Sequence, residues 1–202
     1  MTRKIFEEDV MCRTCRAVVQ ECVPLKAGFG IVLDQTVFFP EGGGQLSDTG
    51  WLEAAGERIP VSHVRTQEGV ILHEVSRELP TGCEVGAVLD WPVRFDHMQQ
   101  HCGEHLLSYA FWKLFGADNV GFHMNPDIVT IDLNKEVTAD EAREAETLAN
   151  QHIQENRSIH AQWMEHSEAA GLTTRKFNEK LTGQLRIVRV EGSDVCTCCG
   201  TH

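Results

Sequence analysis

Two pairs of side chains that bind metals stand out in this sequence because the members of each pair are four residues apart. His101 and His105 lie on a segment with helical periodicity, where residues i and i+4 share one face with Cβ atoms about 6 Å apart. Cys198 and His202 have the same spacing in a short, glycine-containing segment. The two pairs supply one thiolate and three imidazoles, the donors that zinc prefers in a tetrahedral site. The sequence therefore predicts one zinc ion per chain.

The histidine pair also fits a second chemistry. His101-Cys-Gly-Glu-His105 matches the H-x-x-E-H signature of inverted zinc peptidases, in which the glutamate, here Glu104, acts as a general base. That interpretation gives no role to Cys198 and His202, so it ranks second among the metal hypotheses. A third alternative is a module that binds zinc or nucleic acid without catalysis.

A glycine-rich loop, Glu41-Gly-Gly-Gly-Gln45, is the other candidate binding element. Three glycines in a row remove every Cβ, so that backbone N–H groups can approach a ligand closely. No Gly-Lys-Ser/Thr follows, which excludes a nucleotide P-loop. Gln45 is both a donor and an acceptor and can hold a hydroxyl, an amino group or a carbonyl.

Composition bounds the class of protein. The 202 residues include 18 Lys+Arg and 30 Asp+Glu, a net charge of −12, and 42% are hydrophobic. No apolar run reaches the roughly 20 residues that cross a bilayer, and acids stand where a signal peptide would be apolar. We expect a cytoplasmic protein without a membrane or DNA partner, whose clustered cysteines bind metal rather than form disulfides.

One segment departs from this acidic balance. Residues 171–190 have a local charge of +4, because five basic residues oppose Glu179 alone. Such a strip favours contact with a nucleic-acid backbone, although a solvated face explains it equally well. The basic residues are Arg175, Lys176, Lys180, Arg186 and Arg189.

The first ninety residues show short strand-like runs that are bounded by glycine and proline. Strands at this spacing, without intervening helices, predict a small, glycine-rich β-barrel domain over residues 1–90. The runs are Arg16–Val23, Phe29–Leu33, Arg58–Val64 and Val70–Val75.

Residues 91–202 predict an α+β domain with two long helices on an antiparallel sheet. The first helix should run between Pro92 and Gly116, and the second should begin at Thr138, where Glu141 completes a capping box. Further strands are predicted at Ile128–Ile131, Ile159–Trp163 and Leu185–Val190.

At these residues the sequence resembles the freestanding alanyl-tRNA editing proteins of the AlaX family and the editing half of alanyl-tRNA synthetase. The resemblance covers nearly the whole chain. It rests on Leu33-Asp-Gln-Thr-Val-Phe-Phe-Pro-Glu-Gly-Gly-Gly-Gln45, Asp48-Thr-Gly50, Gln100-His-Cys-Gly-Glu-His-Leu-Leu107, Val120-Gly-Phe-His123, Thr130-Ile-Asp-Leu133, Glu155-Asn-Arg157 and Asp194-Val-Cys-Thr-Cys-Cys-Gly-Thr-His202.

The resemblance implies a β-barrel followed by an editing domain of the type shared with threonyl-tRNA synthetase. It implies hydrolysis of alanine tRNA carrying a wrong amino acid, most often serine. By motif match, Gln45 takes the position of the glutamine that reaches into the editing pocket. The N–H groups of the loop glycines Gly43 and Gly44 are expected to bind beside it, and the basic strip is the candidate tRNA contact on its charge alone. The zinc positions fall on His101, His105, Cys198 and His202, of which the first two join Gln45 as catalytic candidates.

Three features depart from the family pattern. Cys102-Gly103 replaces the usual Thr/Ser-Ala between the histidines, and Cys199 replaces the first glycine of Cys-Gly-Gly-Thr-His. The sequence stops at His202, where relatives continue into another strand.

Four protein ligands are typical of a closed structural zinc site, whereas catalytic sites keep a position open. The sequence leaves open whether zinc activates water or positions the substrate.

Overall fold

The computed structural model describes residues 2–172, 175 and 182–202 and confirms the predicted α+β class. The strands are β1 (Arg3–Lys4), β2 (Thr14–Pro24), β3 (Phe29–Leu33), β4 (Gln35–Thr36), β5 (Gly50–Ala54), β6 (Glu57–Gln67), β7 (Val70–Val75), β8 (Glu84–Leu89), β9 (Asn119–Met124), β10 (Val129–Leu133), β11 (Ile159–Glu165), β12 (Gln184–Val190) and β13 (Val195–Thr197). The helices are α1 (Ile5–Glu8), α2 (Trp91–Phe115), α3 (Ala139–Gln154) and α4 (His166–Ala169). None of the helices in these ranges is long and apolar enough to cross a membrane.

The chain divides into two compact units. The first consists of Met1–Met98 together with Thr201, and the second consists of Gln99–Gly200 together with His202. The boundary falls within α2, so that His101 and His105 belong to the second unit with the Cys198 segment.

The first unit is built around a closed barrel of six antiparallel strands in the order β2-β3-β7-β6-β5-β8. Closure pairs β2 with β8, which leaves the barrel without a free edge. Alternate strand residues point inward and form one core, of which the most buried members are Val19, Ile31, Leu33, Leu52, Val61 and Val64. Strands β5 and β8 were not predicted, because their short runs contain glycine and alanine where β-branched residues would signal a strand.

The second unit contains two small antiparallel sheets, β9–β10 and β11-β12-β13, where the sequence predicts one sheet. Helix α3 lies between β10 and β11 in the chain and so separates the two sheets in sequence. Strand β9 pairs with β10, and β12 pairs with β11 and β13. Ala110 of α2 and Ala145 of α3 belong to one buried apolar cluster. The predicted capping box is present at the start of α3, with Glu141 accepting from the Thr138 backbone N–H.

Candidate metal centre

Two elements of the second unit carry the four predicted metal ligands. Helix α2 presents His101 and His105 one turn apart, with ring centroids separated by 5.3 Å. The other two ligands, Cys198 and His202, follow strand β13, which pairs with β12. The buried Arg186 on β12 donates to the carbonyls of Cys198 and Gly200 at 3.0 and 2.9 Å. This strand residue therefore shapes the segment that holds the thiol.

The four ligand atoms lie within 4.8 Å of one another. The Cys198 Sγ is 3.5 Å from His101 Nε2 and 3.2 Å from His202 Nε2. In a tetrahedral zinc site with ordinary bond lengths the donors are about 3.3–3.6 Å apart, so these residues fit the ion. The structure thus brings together the four residues that sequence spacing selected.

The electrostatics of the cluster favour a thiolate at Cys198. Burial by itself raises the pKa of this thiol, but the imidazoles of His101, His105 and His202 outweigh burial and lower the pKa to about 2. Burial also lowers the pKa of His202 to about 3, which keeps that ring neutral. A thiolate and neutral imidazoles are the forms that bind a metal ion.

Two further thiols lie beside the ligands. The Cys102 Sγ is 3.5 Å from His202 Nδ1, and the Cys196 Sγ is 3.4 Å from His105 Nδ1. Burial raises the pKa of both thiols, that of Cys102 to about 11. They therefore stay protonated where Cys198 is ionised. Cys102 contacts the His202 nitrogen opposite to the one that lies next to the Cys198 thiol.

The Nδ1 side of His105 meets an acidic residue that sequence analysis did not select. The Asp194 Oδ2 lies 3.0 Å from His105 Nδ1, and its other oxygen accepts from Arg175 Nε at 2.9 Å. Burial raises the pKa of Asp194, but the hydrogen bonds from His105 and Arg175 outweigh burial and hold it at about 2. The carboxylate is therefore ionised.

A second buried carboxylate, Glu104, stands next to His105 on α2. Its Oε1 accepts from Ser108 Oγ at 2.5 Å and from Asn119 Nδ2 at 2.6 Å. Its Oε2 lies 3.9 Å from His105 Nε2. One oxygen is thus fixed by neighbouring side chains, while the other lies close to the ring of a predicted metal ligand.

In the first unit, the glycine loop forms a tight turn. Gly42 and Gln45 exchange backbone hydrogen bonds at 3.1 Å, and the two residues between them have φ of +61° at Gly43 and +84° at Gly44. Positive φ at both central positions explains why glycine occupies them.

The side chain of Gln45 is buried, and both the nitrogen and the oxygen of its amide are hydrogen-bonded to Thr201. Its Nε2 donates to Thr201 Oγ1 at 2.8 Å, and its Oε1 accepts from the Thr201 backbone N–H at 3.1 Å. Thr201 directly precedes the ligand His202 in the sequence. Gln45 and Thr201 both belong to the first unit, and their two hydrogen bonds lie within it.

The predicted nucleic-acid contact is corrected at Arg175. Its side chain is 5% exposed and paired with Asp194, so that it cannot meet a phosphate at the surface. Arg186 is buried as well, while Arg189 is exposed. Lys176 and Lys180 lie outside the described residues.

Comparison with known proteins places this architecture among tRNA synthetase relatives. The profile of the family described as class II tRNA synthetases (A) matches residues 7–93. The alanine–tRNA ligase of Thermococcus kodakarensis is 35% identical over 210 residues, which cover the whole chain and 22% of that protein. This chain therefore spans about a fifth of the length of that ligase.

Two freestanding proteins are similar over the whole chain. The alanyl-tRNA editing protein AlaX-L of Pyrococcus horikoshii is 32% identical over 206 residues, or 51% of its length. AlaX-M of Methanosarcina mazei is 33% identical over 218 residues, or 85% of its length. The chain belongs to the AlaX family of alanyl-tRNA editing proteins.

Proposed function

We propose that this chain hydrolyses the ester bond of alanine tRNA that carries a wrong amino acid, most often serine. The observation that carries the proposal is the group of three imidazoles and one thiol within 4.8 Å, in a chain that belongs to an editing family. The named activity of its relatives supports the same conclusion.

In this proposal His101, His105, Cys198 and His202 hold one zinc ion. When bound, zinc supplies a Lewis acid that polarises the ester carbonyl. The Oε2 of Glu104 accepts a proton from the attacking water and returns it to the ribose oxygen as the ester C–O bond breaks. Ser108 and Asn119 orient the carboxylate for this transfer through its Oε1.

The loop residues Gly43, Gly44 and Gln45 are proposed to contact the amino acid. A synthetic pocket cannot firmly reject serine, which only adds a hydroxyl to alanine. A second site with buried polar groups can reject alanine strongly, because those groups would be left unpaired. Gln45 is a buried polar residue of this kind, and in this proposal its amide exchanges part of its bonding to Thr201 for a contact with the serine hydroxyl. Lys176 and Lys180 remain the predicted contacts to the tRNA backbone.

The test is deacylation of alanine tRNA charged in turn with serine, glycine and alanine, before and after zinc removal by a chelator. We expect rapid loss of serine, slow loss of alanine, and recovery of activity when zinc is returned. Binding of charged tRNA without deacylation would instead favour a non-catalytic module. Cleavage of unstructured peptides, with no effect on charged tRNA, would favour the H-x-x-E-H peptidase.

A further inference from the structure

The hydrogen bond between His105 and Asp194 determines which nitrogen of the imidazole carries the proton. An ionised carboxylate can only accept, so the Nδ1 of His105 must donate across the 3.0 Å contact. In the neutral ring this leaves the lone pair on Nε2, the nitrogen that lies 3.9 Å from Glu104 Oε2 and that does not contact Asp194. The contact therefore selects the tautomer that can bind a metal ion.

Asp194 is itself held in place by Arg175. The guanidinium donates from Nε to Oδ1 at 2.9 Å and from Nη2 to Oδ2 at 3.1 Å, a two-point contact that fixes the plane of the carboxylate. Both side chains are almost completely buried. The Arg175 backbone N–H also donates to the carbonyl of Val195, next to Asp194 in the chain.

A second metal ion on this side of His105 is disfavoured. The imidazole, Asp194 and the Cys196 thiol lie within 4.8 Å of one another and form a nominal three-donor group. The Arg175 guanidinium, however, already neutralises the carboxylate and binds both of its oxygens. The group is therefore better suited to orient His105 than to bind a cation.

We propose that the Arg175–Asp194 pair is a positioning device for the metal ligand His105, and that zinc affinity depends on it. The inference rests on the zinc site of the proposed function and adds two residues to it. Partners of this kind fix the ring orientation and raise the basicity of the ligating nitrogen, and their loss weakens metal binding by about 10–100-fold.

The experiment measures the apparent zinc dissociation constant of the full chain by competition with a chromophoric chelator. We expect Asp194→Ala to weaken binding by about 10–100-fold. Asp194→Asn keeps an oxygen that accepts from Nδ1 and should fall between Asp194→Ala and the unmodified protein. Arg175→Lys keeps the charge but loses the two-point contact, and should bind zinc more tightly than Arg175→Gln. The visible spectrum of the Co²⁺-loaded protein should change in the same order.

The control is a second histidine–aspartate contact in the same unit. His123 Nε2 lies 3.2 Å from Asp132 Oδ2, but both side chains are more than half exposed. Asp132→Asn should leave zinc affinity unchanged. Because an unpaired buried charge can prevent folding, the double variant Arg175→Met/Asp194→Asn, which removes both charges, provides an independent test. It should still bind zinc more weakly than the unmodified protein.

The outcomes separate the inference from the proposed function. If folded Asp194→Ala and the double variant both bind zinc as tightly as the unmodified protein, the positioning role is overturned and the zinc site stands. If Cys196→Ala weakens binding more than Asp194→Ala does, the thiol is the effective partner and the inference is wrong. If the unmodified protein binds no zinc, the proposed function itself fails.

Discussion

Among the residues that the structure describes, an arginine–aspartate pair is buried in each unit, and the two pairs are used differently. In the first unit, Arg94 donates to both oxygens of Asp48 at 2.9 and 3.0 Å and also to the carbonyls of Val10 and Val37. Asp48 additionally accepts from the Phe39 backbone N–H. All of these partners belong to the first unit, so the pair joins segments of one fold.

In the second unit, Arg175 and Asp194 lead to His105, whose opposite nitrogen faces the ligand cluster. Glu104 likewise has one oxygen bonded to side chains, while the other lies 3.9 Å from His105 Nε2. The comparison indicates that the pair in the first unit serves the fold, whereas the pair in the second unit contacts a candidate metal ligand.

The two units also differ in their buried histidines. His73 in the barrel contacts Thr36 Oγ1 and the carbonyl of Ile31, each at 2.8 Å, so that both ring nitrogens are bonded. Burial lowers its pKa to about 4. His105 has the same kind of ring, but its partners are Asp194 and groups of the candidate metal site rather than a threonine and a backbone carbonyl.

The largest expected effect separates Glu104 from Asp48, two buried carboxylates. Glu104→Gln keeps the shape of the side chain but removes the proton acceptor, and we expect deacylation to fall by about 10²–10⁴-fold. The rate of serine release from charged tRNA, measured on zinc-loaded protein, checks this expectation. Zinc content should be unchanged. A rate within a factor of two of the unmodified protein would remove Glu104 from the mechanism.

The matched substitution in the barrel, Asp48→Asn, should act on stability instead. It leaves the buried Arg94 without its counter-ion, and breaking a buried pair costs about 3–5 kcal/mol. Denaturant unfolding measures the loss. Deacylation per folded molecule should not change, and a selective loss of zinc from folded Asp48→Asn protein would contradict the contrast between the pairs.

The buried histidine of the barrel predicts a dependence of stability on pH. The pKa of His73 is about 4 in the folded chain and about 6.5 when unfolded, so the unfolded state binds more protons between these values. The stabilising contribution is complete above pH 6.5 and is lost as the pH falls through 4, by about 3 kcal/mol in total.

Unfolding curves of His73→Gln, which cannot take up this proton, should show a shallower decline between pH 6.5 and 4 than the unmodified protein. Equal slopes of the free energy of unfolding against pH in the two proteins would contradict this prediction, because groups other than His73 would then determine the loss of stability in acid.

The smallest effect is expected where the polar contact is exposed. Thr138 caps α3 by accepting from the Glu141 backbone N–H at 3.2 Å, and Thr138→Ala should cost about 1 kcal/mol. Thermal unfolding measures this change. Zinc affinity should stay the same. A larger effect on zinc affinity than on stability would show that α3 supports the metal site, and it would contradict the separation between structural contacts and contacts of the site.

Much of the secondary structure could be predicted because it follows local patterns. The bounds of β3 and β7 agree with the predicted runs, and α2 begins one residue before Pro92. The division of the second unit's strands into two separate sheets could not be predicted in this way. Strand pairing depends on contacts between distant residues, which hydrophobic periodicity does not encode.

The metal ligands could be predicted from the sequence for a similar reason. The two members of each pair are four residues apart, and this spacing itself suggests that they bind one ion. Asp194 was missed because 89 residues separate it from His105, although it begins the terminal motif that carried the resemblance. Arg175 was interpreted as a surface charge because its sequence neighbours are basic. Only the fold shows that its counter-ion is buried.

The central claim is that the cluster of three histidines and Cys198 is a zinc site required for deacylation. Neighbouring thiols allow a direct test: Cys198→Ser and Cys199→Ser make the same chemical change one residue apart, and only Cys198 belongs to the cluster. Zinc per chain and serine release should be measured together on both variants. We predict one zinc and full activity for Cys199→Ser, and loss of both for Cys198→Ser. Retention of zinc and full deacylation in Cys198→Ser would contradict the account.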